Sequence, residues 1–226
     1  MSSKIKFAII GCGRIGKRHA SMLDINSDTE LVALVETDEG VAKELSKEFN
    51  VPVFNSQEQF IASGIHADVV NICTPNYLHA SQAIMALKNN CHVVVEKPMA
   101  LAKVDAEEVI HESLKVNKIV FCVMQNRYSP PSRWLKEVLE SGVLGKIYMA
   151  NINCFWNRDD DYYQGGAASY WKGKQDKDGG TLFTQFSHFL DTMYWLFGDI
   201  TNIKANFYDF NHQHTTEFED SGIVQF

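Results

Sequence analysis

At 226 residues, 45% hydrophobic and 22% charged, the chain has room for one large or two small domains and the composition of an ordinary globular protein. A formal net charge of −7 argues against a nucleic-acid partner, which would need a basic face, but it leaves room for a few local arginines to hold a small anion. No apolar run reaches membrane-span length. Residues 1–4 lead into a short strand without the charged start and long apolar stretch of a signal peptide, so a cytoplasmic protein without membrane contact is expected.

The chain begins with a strand over residues 4–10, the glycine-containing turn Gly11-Cys12-Gly13-Arg14-Ile15-Gly16, and a helix over 17–23. A strand over 31–35 ends at Glu36, and residues 41–49 have helical spacing. A short edge strand over 51–54 precedes a helix capped by Ser56, with Glu58 in its first turn. Residues 68–73 form a buried strand, 77–88 a helix, 92–96 a strand, 105–116 a helix and 119–124 a strand. Such alternation signals a parallel sheet with helices on both faces. After Met124 the rhythm changes. Ser129-Pro130-Pro131 opens a helix to about Glu140, and residues 146–155 read as a long strand. Residues 156–178 are polar, aromatic and glycine-containing with little periodicity, the mark of a functional loop. A strong helix over 181–197 and strands over 203–210 and 221–226 follow. The chain stops inside an apolar strand, which reads as a truncated or incompletely represented chain, with a natural end as the alternative.

Five cysteines, Cys12, Cys73, Cys91, Cys122 and Cys154, are odd in number, widely spaced and without a Cys-x-x-Cys pair. They read as structural thiols in a reducing compartment rather than disulfides or zinc ligands. His212 and His214 could share a strand face, but no third ligand is evident, so no metal is expected.

Three motifs carry chemistry. In the first, three valines run into Glu96-Lys97-Pro98. Alternation along a strand sends Glu96 and Lys97 to opposite faces, and a lysine at the carboxyl end of a central parallel strand lies where open α/β sheets bind ligands. A surface ion pair is the competing reading. In the second, Gly11, Gly13 and Gly16 sit between a strand and a helix, the setting that lets backbone approach a pyrophosphate at the helix amino end. Glu36, at the end of the next strand, would accept from ribose hydroxyls and repel a 2′-phosphate, favouring NAD over NADP. Asp38 competes for that role, and Arg14 and Lys17 complicate the preference. Thr74 and Asn76 could bond the cofactor or cap the following helix. His79, in its first turn, reads more simply as solvated. In the third, Thr184, His188, Asp191 and Trp195 are spaced four, three and four, one stripe on a helix. Either the stripe faces an active-site cleft, or His188 is a structural histidine bonded to Asp191. Arg127, Arg158, Lys172 and Lys174 could hold an anion, or be solvated charges.

Together the glycine loop, the Thr74-Pro75-Asn76-x-x-His79 turn, Glu96-Lys97-Pro98 and the helix carrying His188-x-x-Asp191 resemble the Gfo/Idh/MocA oxidoreductases, over essentially the whole chain. The resemblance implies an α/β protein with a doubly wound Rossmann domain over 1–123. Residues 124–226 would then be an incomplete α/β substrate domain whose open, mostly antiparallel sheet supports a homo-oligomer, a dimer or tetramer. It implies NAD held by Gly11, Gly13, Arg14, Ile15, Gly16, Glu36, Thr74, Pro75, Asn76, His79, Glu96 and Lys97. It makes Lys97 and His188 catalytic, with Asp191 orienting His188, and puts Arg127, Tyr128, Trp171, Thr184 and Gln185 beside them at the substrate. Polyol-oxidising members carry an aspartate where this chain has Thr184, whereas Gln125-Asn126-Arg127-Tyr128 and Gln185 are closer to sugar-nucleotide 3-dehydrogenases. The expected activity is hydride transfer between a sugar or sugar-nucleotide carbinol carbon and NAD. The alternatives are a polyol or inositol dehydrogenase, a glycosidase using NAD transiently, and a non-catalytic dinucleotide sensor.

Overall fold

The computed structural model describes residues 3–166 and 170–226. Short apolar strands alternate with helices in its first half: β1 (Ile5–Ile10), α1 (Arg14–Asp24), β2 (Thr29–Val35), α2 (Glu39–Phe49), β3 (Val53–Phe54), α3 (Gln57–Ala62) and β4 (Val69–Ile72). A 3-10 turn (Asn76–Leu78), α4 (His79–Lys88), β5 (His92–Val95), α5 (Lys103–Val116) and β6 (Val120–Cys122) complete it. The six strands form one sheet in the order β3-β2-β1-β4-β5-β6, and every pair is parallel. Chain order reverses between β1 and β4, so their carboxyl ends border the crevice where such sheets take ligands.

Local chemistry explains the punctuation. Asp38 caps α2 by accepting from the Val41 amide, and Ser56 caps α3 by accepting from the Gln59 amide. Ile9, Ile10, Leu34, Ile72, Val93 and Val95 lie at the centre of the sheet, none more than 2% exposed. Proximity in sequence and β-branched content let these strands bury both faces.

The chain divides into two compact units, Met1–Val123 and Met124–Phe226. The second holds a 3-10 turn (Gln125–Tyr128), α6 (Pro130–Glu140), α7 (Asp160–Gln164), α8 (Thr181–Thr184), α9 (Ser187–Phe197), β7 (Lys204–Tyr208) and β8 (Ser221–Gln225). Ser129 caps α6 through the Ser132 amide, with proline in the first turn. Strands β7 and β8 pair antiparallel.

Three expectations differ from the structure. Residues 146–155 form no strand, and Tyr148, Met149 and Phe155 are 86%, 85% and 95% exposed. Strand propensity is realised only against a partner, and among the described residues none pairs with this segment. The aromatic stretch 156–178 is not structureless, because α7 lies within it; residues 167–169 are outside the described residues. The helix over 181–197 is two helices. The Phe186 amide donates back to the Thr181 carbonyl, five residues earlier, and the Phe189 amide to the Phe186 carbonyl. The Thr184 hydroxyl donates to the Gly180 carbonyl and the Ser187 hydroxyl to the Thr184 carbonyl. Hydroxyls that engage the preceding backbone this way bend helices, and the five-residue step resets the register. All five cysteines are free thiols. Among the described residues, no helix is long and apolar enough to cross a membrane.

Candidate functional site

In the first unit, the glycine loop is shaped by what each glycine leaves out. Gly11 has φ +84°, and an added Cβ would lie 2.7 Å from Thr74 Cγ2. At Gly16 the added Cβ would lie 2.0 Å from the Gly11 carbonyl oxygen, so only glycine lets α1 close onto β1. Around Gly13, by contrast, no atom of the described residues lies within 4 Å of an added Cβ. This is an open cradle at the start of α1, where Gly13 caps without a side chain and no acidic residue sits in the first turn. Arg14 and Ile15, both exposed, begin the helix there. Such an end, with its free amides and positive dipole, suits a diphosphate.

Glu36 leaves β2 beside this loop. Its Oε2 accepts from the Cys12 amide at 3.0 Å and its Oε1 from the Asp38 amide at 3.0 Å. Two backbone donors therefore fix a carboxylate at the end of β2 beside the glycine loop, while Asp38 caps α2. Burial, then Glu36, pushes the Cys12 thiol up to about 12, so it stays a thiol. These features fit a dinucleotide: the loop amides would hold its diphosphate and Glu36 its ribose hydroxyls.

The turns after β4 and β5 are tied together. His79 is 1% exposed; its Nδ1 lies 2.7 Å from the Pro98 carbonyl oxygen and its Nε2 2.8 Å from that of Thr74. The expectation of a solvated His79 is thus overturned, because α4 starts against the β5 turn and buries the ring. Both nitrogens face backbone, so His79 braces the loops and leaves ligand contact to their other atoms. Desolvation lowers its pKa against the opposing pull of both carbonyls. Thr74 Oγ1 donates to Gln82 Oε1 at 2.6 Å, which anchors the turn on α4, and Asn76 is buried.

At the end of β5, Glu96 is buried and accepts from the Lys97 amide at 3.3 Å through Oε2. Its Oε1 lies 3.2 Å from Nε2 of His19 on α1. Asn71 of β4 places Nδ2 3.1 Å from His19 Nδ1. Neither His19 nor Asn71 was legible as a site residue: a histidine inside a helix and an asparagine inside a strand have no spacing that marks them.

In the second unit, the 3-10 turn after β6 packs on α9. Arg127 Nε donates to Asp191 Oδ2 at 2.7 Å, and its other fork nitrogen to Oδ1. Donating these hydrogen bonds to Asp191 raises the Arg127 pKa. Asp191 was expected to orient His188. The bidentate guanidinium takes both of its oxygens instead, since a fork matches a carboxylate better than one ring nitrogen can. His188 is 4% exposed, with Nε2 3.4 Å from Gln125 Nε2. Thr184, buried, spends its hydroxyl on the Gly180 carbonyl. Gln185 accepts from Arg158 at 3.0 Å and donates to the Tyr162 hydroxyl at 3.0 Å. Arg158 lies over the rings of Trp156 and Tyr162. Tyr128 is exposed and Trp171 half-buried. His212 is not on a strand with His214. It lies in the turn after β7, between Asp220 Oδ2 at 3.0 Å and the Arg158 carbonyl.

Comparison with known proteins adds to this geometry. Residues 5–124 match the family described as an oxidoreductase family with an NAD-binding Rossmann fold, and residues 132–226 match the GFO/IDH/MocA C-terminal domain. The WlbA dehydrogenase of Chromobacterium violaceum, solved with NADH and UDP-GlcNAcA, is 32% identical with a TM-score of 0.91, over 99% of this chain and 64% of that one. The WlbA dehydrogenase of Bordetella pertussis, solved with the same two ligands, is 32% identical with a TM-score of 0.90, over 98% of this chain and 67% of that one. A D-glucoside 3-dehydrogenase of Escherichia coli is 29% identical over 87% of this chain and 55% of its own length. The chain thus spans about half the length of that curated relative.

Proposed function

The chain belongs to the Gfo/Idh/MocA oxidoreductase family, and from that premise we propose that it serves an NAD-dependent dehydrogenase acting on a hydroxyl of a sugar nucleotide, with Lys97 and His188 as its proton-handling groups. The observation that carries this reading is the first unit's pairing of an open glycine cradle and a fixed Glu36 carboxylate with Lys97 at the end of β5. When bound, the nicotinamide supplies the hydride acceptor. The chain's own residues handle the rest. A hydroxyl cannot lose hydride from its carbon without losing its proton. An imidazole titrates near neutrality without help, so His188 is assigned as the base. The Lys97 ammonium donates to the substrate oxygen and offsets its developing negative charge. Arg127, held by Asp191, shapes the turn that carries Gln125, and Gln125 in turn steadies His188.

Support for a sugar nucleotide comes from the two 32%-identical relatives solved with UDP-GlcNAcA, and from Thr184 standing where polyol-oxidising members carry aspartate. A free glycoside is the second reading, favoured by the 29%-identical D-glucoside 3-dehydrogenase. A panel of UDP-GlcNAcA, other sugar nucleotides, glucosides and inositols with NAD, followed by NADH absorbance and by single turnover, separates them. NADH formed with UDP-GlcNAcA is expected. Turnover restricted to glucosides would replace the sugar nucleotide, and cleavage without net NADH would indicate a glycosidase. Lys97→Met is expected to cut turnover by about 100-fold or more with NADH affinity nearly unchanged. An equal loss of NADH affinity would make Lys97 a cofactor ligand.

A further inference from the structure

The polar cluster beneath the end of β5 has no part in the chemistry above. Glu96, His19 and Asn71 come from three elements, β5, α1 and β4, that meet inside one unit. Glu96 uses one oxygen for the backbone amide of Lys97 and the other for His19. The state of the His19 ring follows from its neighbours. Asn71 Nδ2 lies 3.1 Å from Nδ1, and an amide nitrogen can only donate. The Cys73 sulfur lies 3.6 Å from the same Nδ1, and burial, then Glu96, holds that thiol well above its ordinary pKa, so it too carries a proton to give. Two donors aimed at one nitrogen make Nδ1 the acceptor and place the ring proton on Nε2, pointing at Glu96. Turning the Asn71 amide over would face an oxygen to that acceptor, while leaving the Nε2 bond in need of a second ring proton. In the present orientation Asn71 Oδ1 is buried with no hydrogen-bond partner among the described residues. A stranded acceptor of this kind forfeits the hydrogen bonds it would have in water. The nitrogen of Asn71, in a central strand, thus sets the His19 tautomer.

We propose that His19 is a positioning residue for Lys97: fixed by Asn71, it donates to Glu96, and Glu96 in turn holds the Lys97 backbone at the end of β5. The chain of contacts runs from the helix of the glycine loop to the lysine, so the two ends of the cofactor crevice share one register. The role rests on the reading of Lys97 given above, and the two are separable by experiment. Exchange of the Lys97 amide proton reports the Glu96 bond with or without turnover. NADH titration and turnover with NAD and UDP-GlcNAcA report function. His19→Leu is expected to speed Lys97 amide exchange at least about 10-fold and to lower kcat about 10- to 100-fold, with KM for NAD within about twofold. His19→Gln keeps a donor at the position of Nε2 and should recover most of both losses. If His19 acts through Glu96, the double variant H19L/E96Q is no slower than E96Q alone. Should His19→Leu not fold, His19→Gln and E96Q singly and together measure the same coupling. Unchanged Lys97 exchange in His19→Leu, or additive losses in the double variant, would overturn the proposal. Accelerated exchange in His19→Leu alongside full turnover in Lys97→Met would keep His19 as the brace of this turn and remove Lys97 from the chemistry.

Discussion

The two units lean on different partners to hold their functional side chains. In the first, backbone grips most groups of interest, Glu36 by two amides, Glu96 by the Lys97 amide and His79 between two carbonyls, with the Glu96–His19–Asn71 contacts as the side-chain exception. Backbone partners come with the sheet and its turns, so once β1, β4 and β5 pair, these side chains have one place to go. In the second unit, side chain grips side chain: Arg127 with Asp191, Gln185 with Arg158 and Tyr162, His212 with Asp220. Each such pair must also fix its partner's rotamer, and several are part-exposed, where water competes. The first arrangement resists substitution through geometry, whereas the second is tuned by charge.

The sharpest way to break that contrast is Gly16→Ala. Its Cβ meets the Gly11 carbonyl oxygen at 2.0 Å, and neither backbone can retreat without separating α1 from β1. A loss of about 3 kcal/mol, at the upper end for overpacking, is expected in denaturant unfolding of the full chain, with NADH binding lost as well. A smaller loss, about 1–2 kcal/mol, is expected for Asp191→Ala, which strands a part-buried guanidinium; Arg127 is about a third exposed, and water recovers part of the cost. Because Arg127 carries the turn that holds Gln125 against His188, turnover should fall further than stability.

The pair His212 and Asp220 sharpens the contrast through pH. Burial opposes the charge on both, yet their mutual hydrogen bond, the Arg158 carbonyl and the Phe210 and Asn211 amides prevail, raising His212 above 6.5 and lowering Asp220 to about 2. The raised imidazole contributes stability in full below 6.5 and loses it as pH climbs through its folded value. The depressed carboxylate contributes above 3.8 and loses it as pH falls toward about 2. Wild type and Asp220→Asn should therefore differ most between 3.8 and 6.5, by about 1 kcal/mol, in thermal unfolding at stepped pH; the gap closes as pH falls toward about 2 and narrows only in part as pH climbs through the folded value of His212, because the Phe210 and Asn211 amides still bond the carboxylate. A gap that does not vary with pH would mean that packing, not charge, holds the turn. The smallest stability effect belongs to Gly13→Ala. With no atom of the described residues within 4 Å of its Cβ, unfolding should move by less than about 0.5 kcal/mol, while NADH affinity falls because the methyl occupies the open cradle.

The alternation of strands and helices, their order and the turn chemistry at Ser56 and Ser129 were legible because each depends on neighbours within a few residues, whereas the capping of α2 by Asp38 emerged only in the structure. Family membership was legible for a related reason: the glycine loop, the Thr74 turn and Glu96-Lys97-Pro98 are contiguous motifs whose spacing the fold requires. The break between α8 and α9 was not legible, since it comes from hydroxyls choosing backbone carbonyls over solvent. Nor was the failure of residues 146–155 to form a strand, because a strand is decided by its partner. The same limit hid the site's wiring. Local sequence placed Glu96, His79 and Asp191 on the right elements. Which atoms they would meet depended on contacts across 77, 19 and 64 positions of chain, which only the packed structure brings together. His19 and Asn71 are the clearest case. A histidine in a helix and an asparagine in a strand carry no periodic signal, and their meaning arises only where α1, β4 and β5 exclude water and leave each polar atom to find its partner inside the protein.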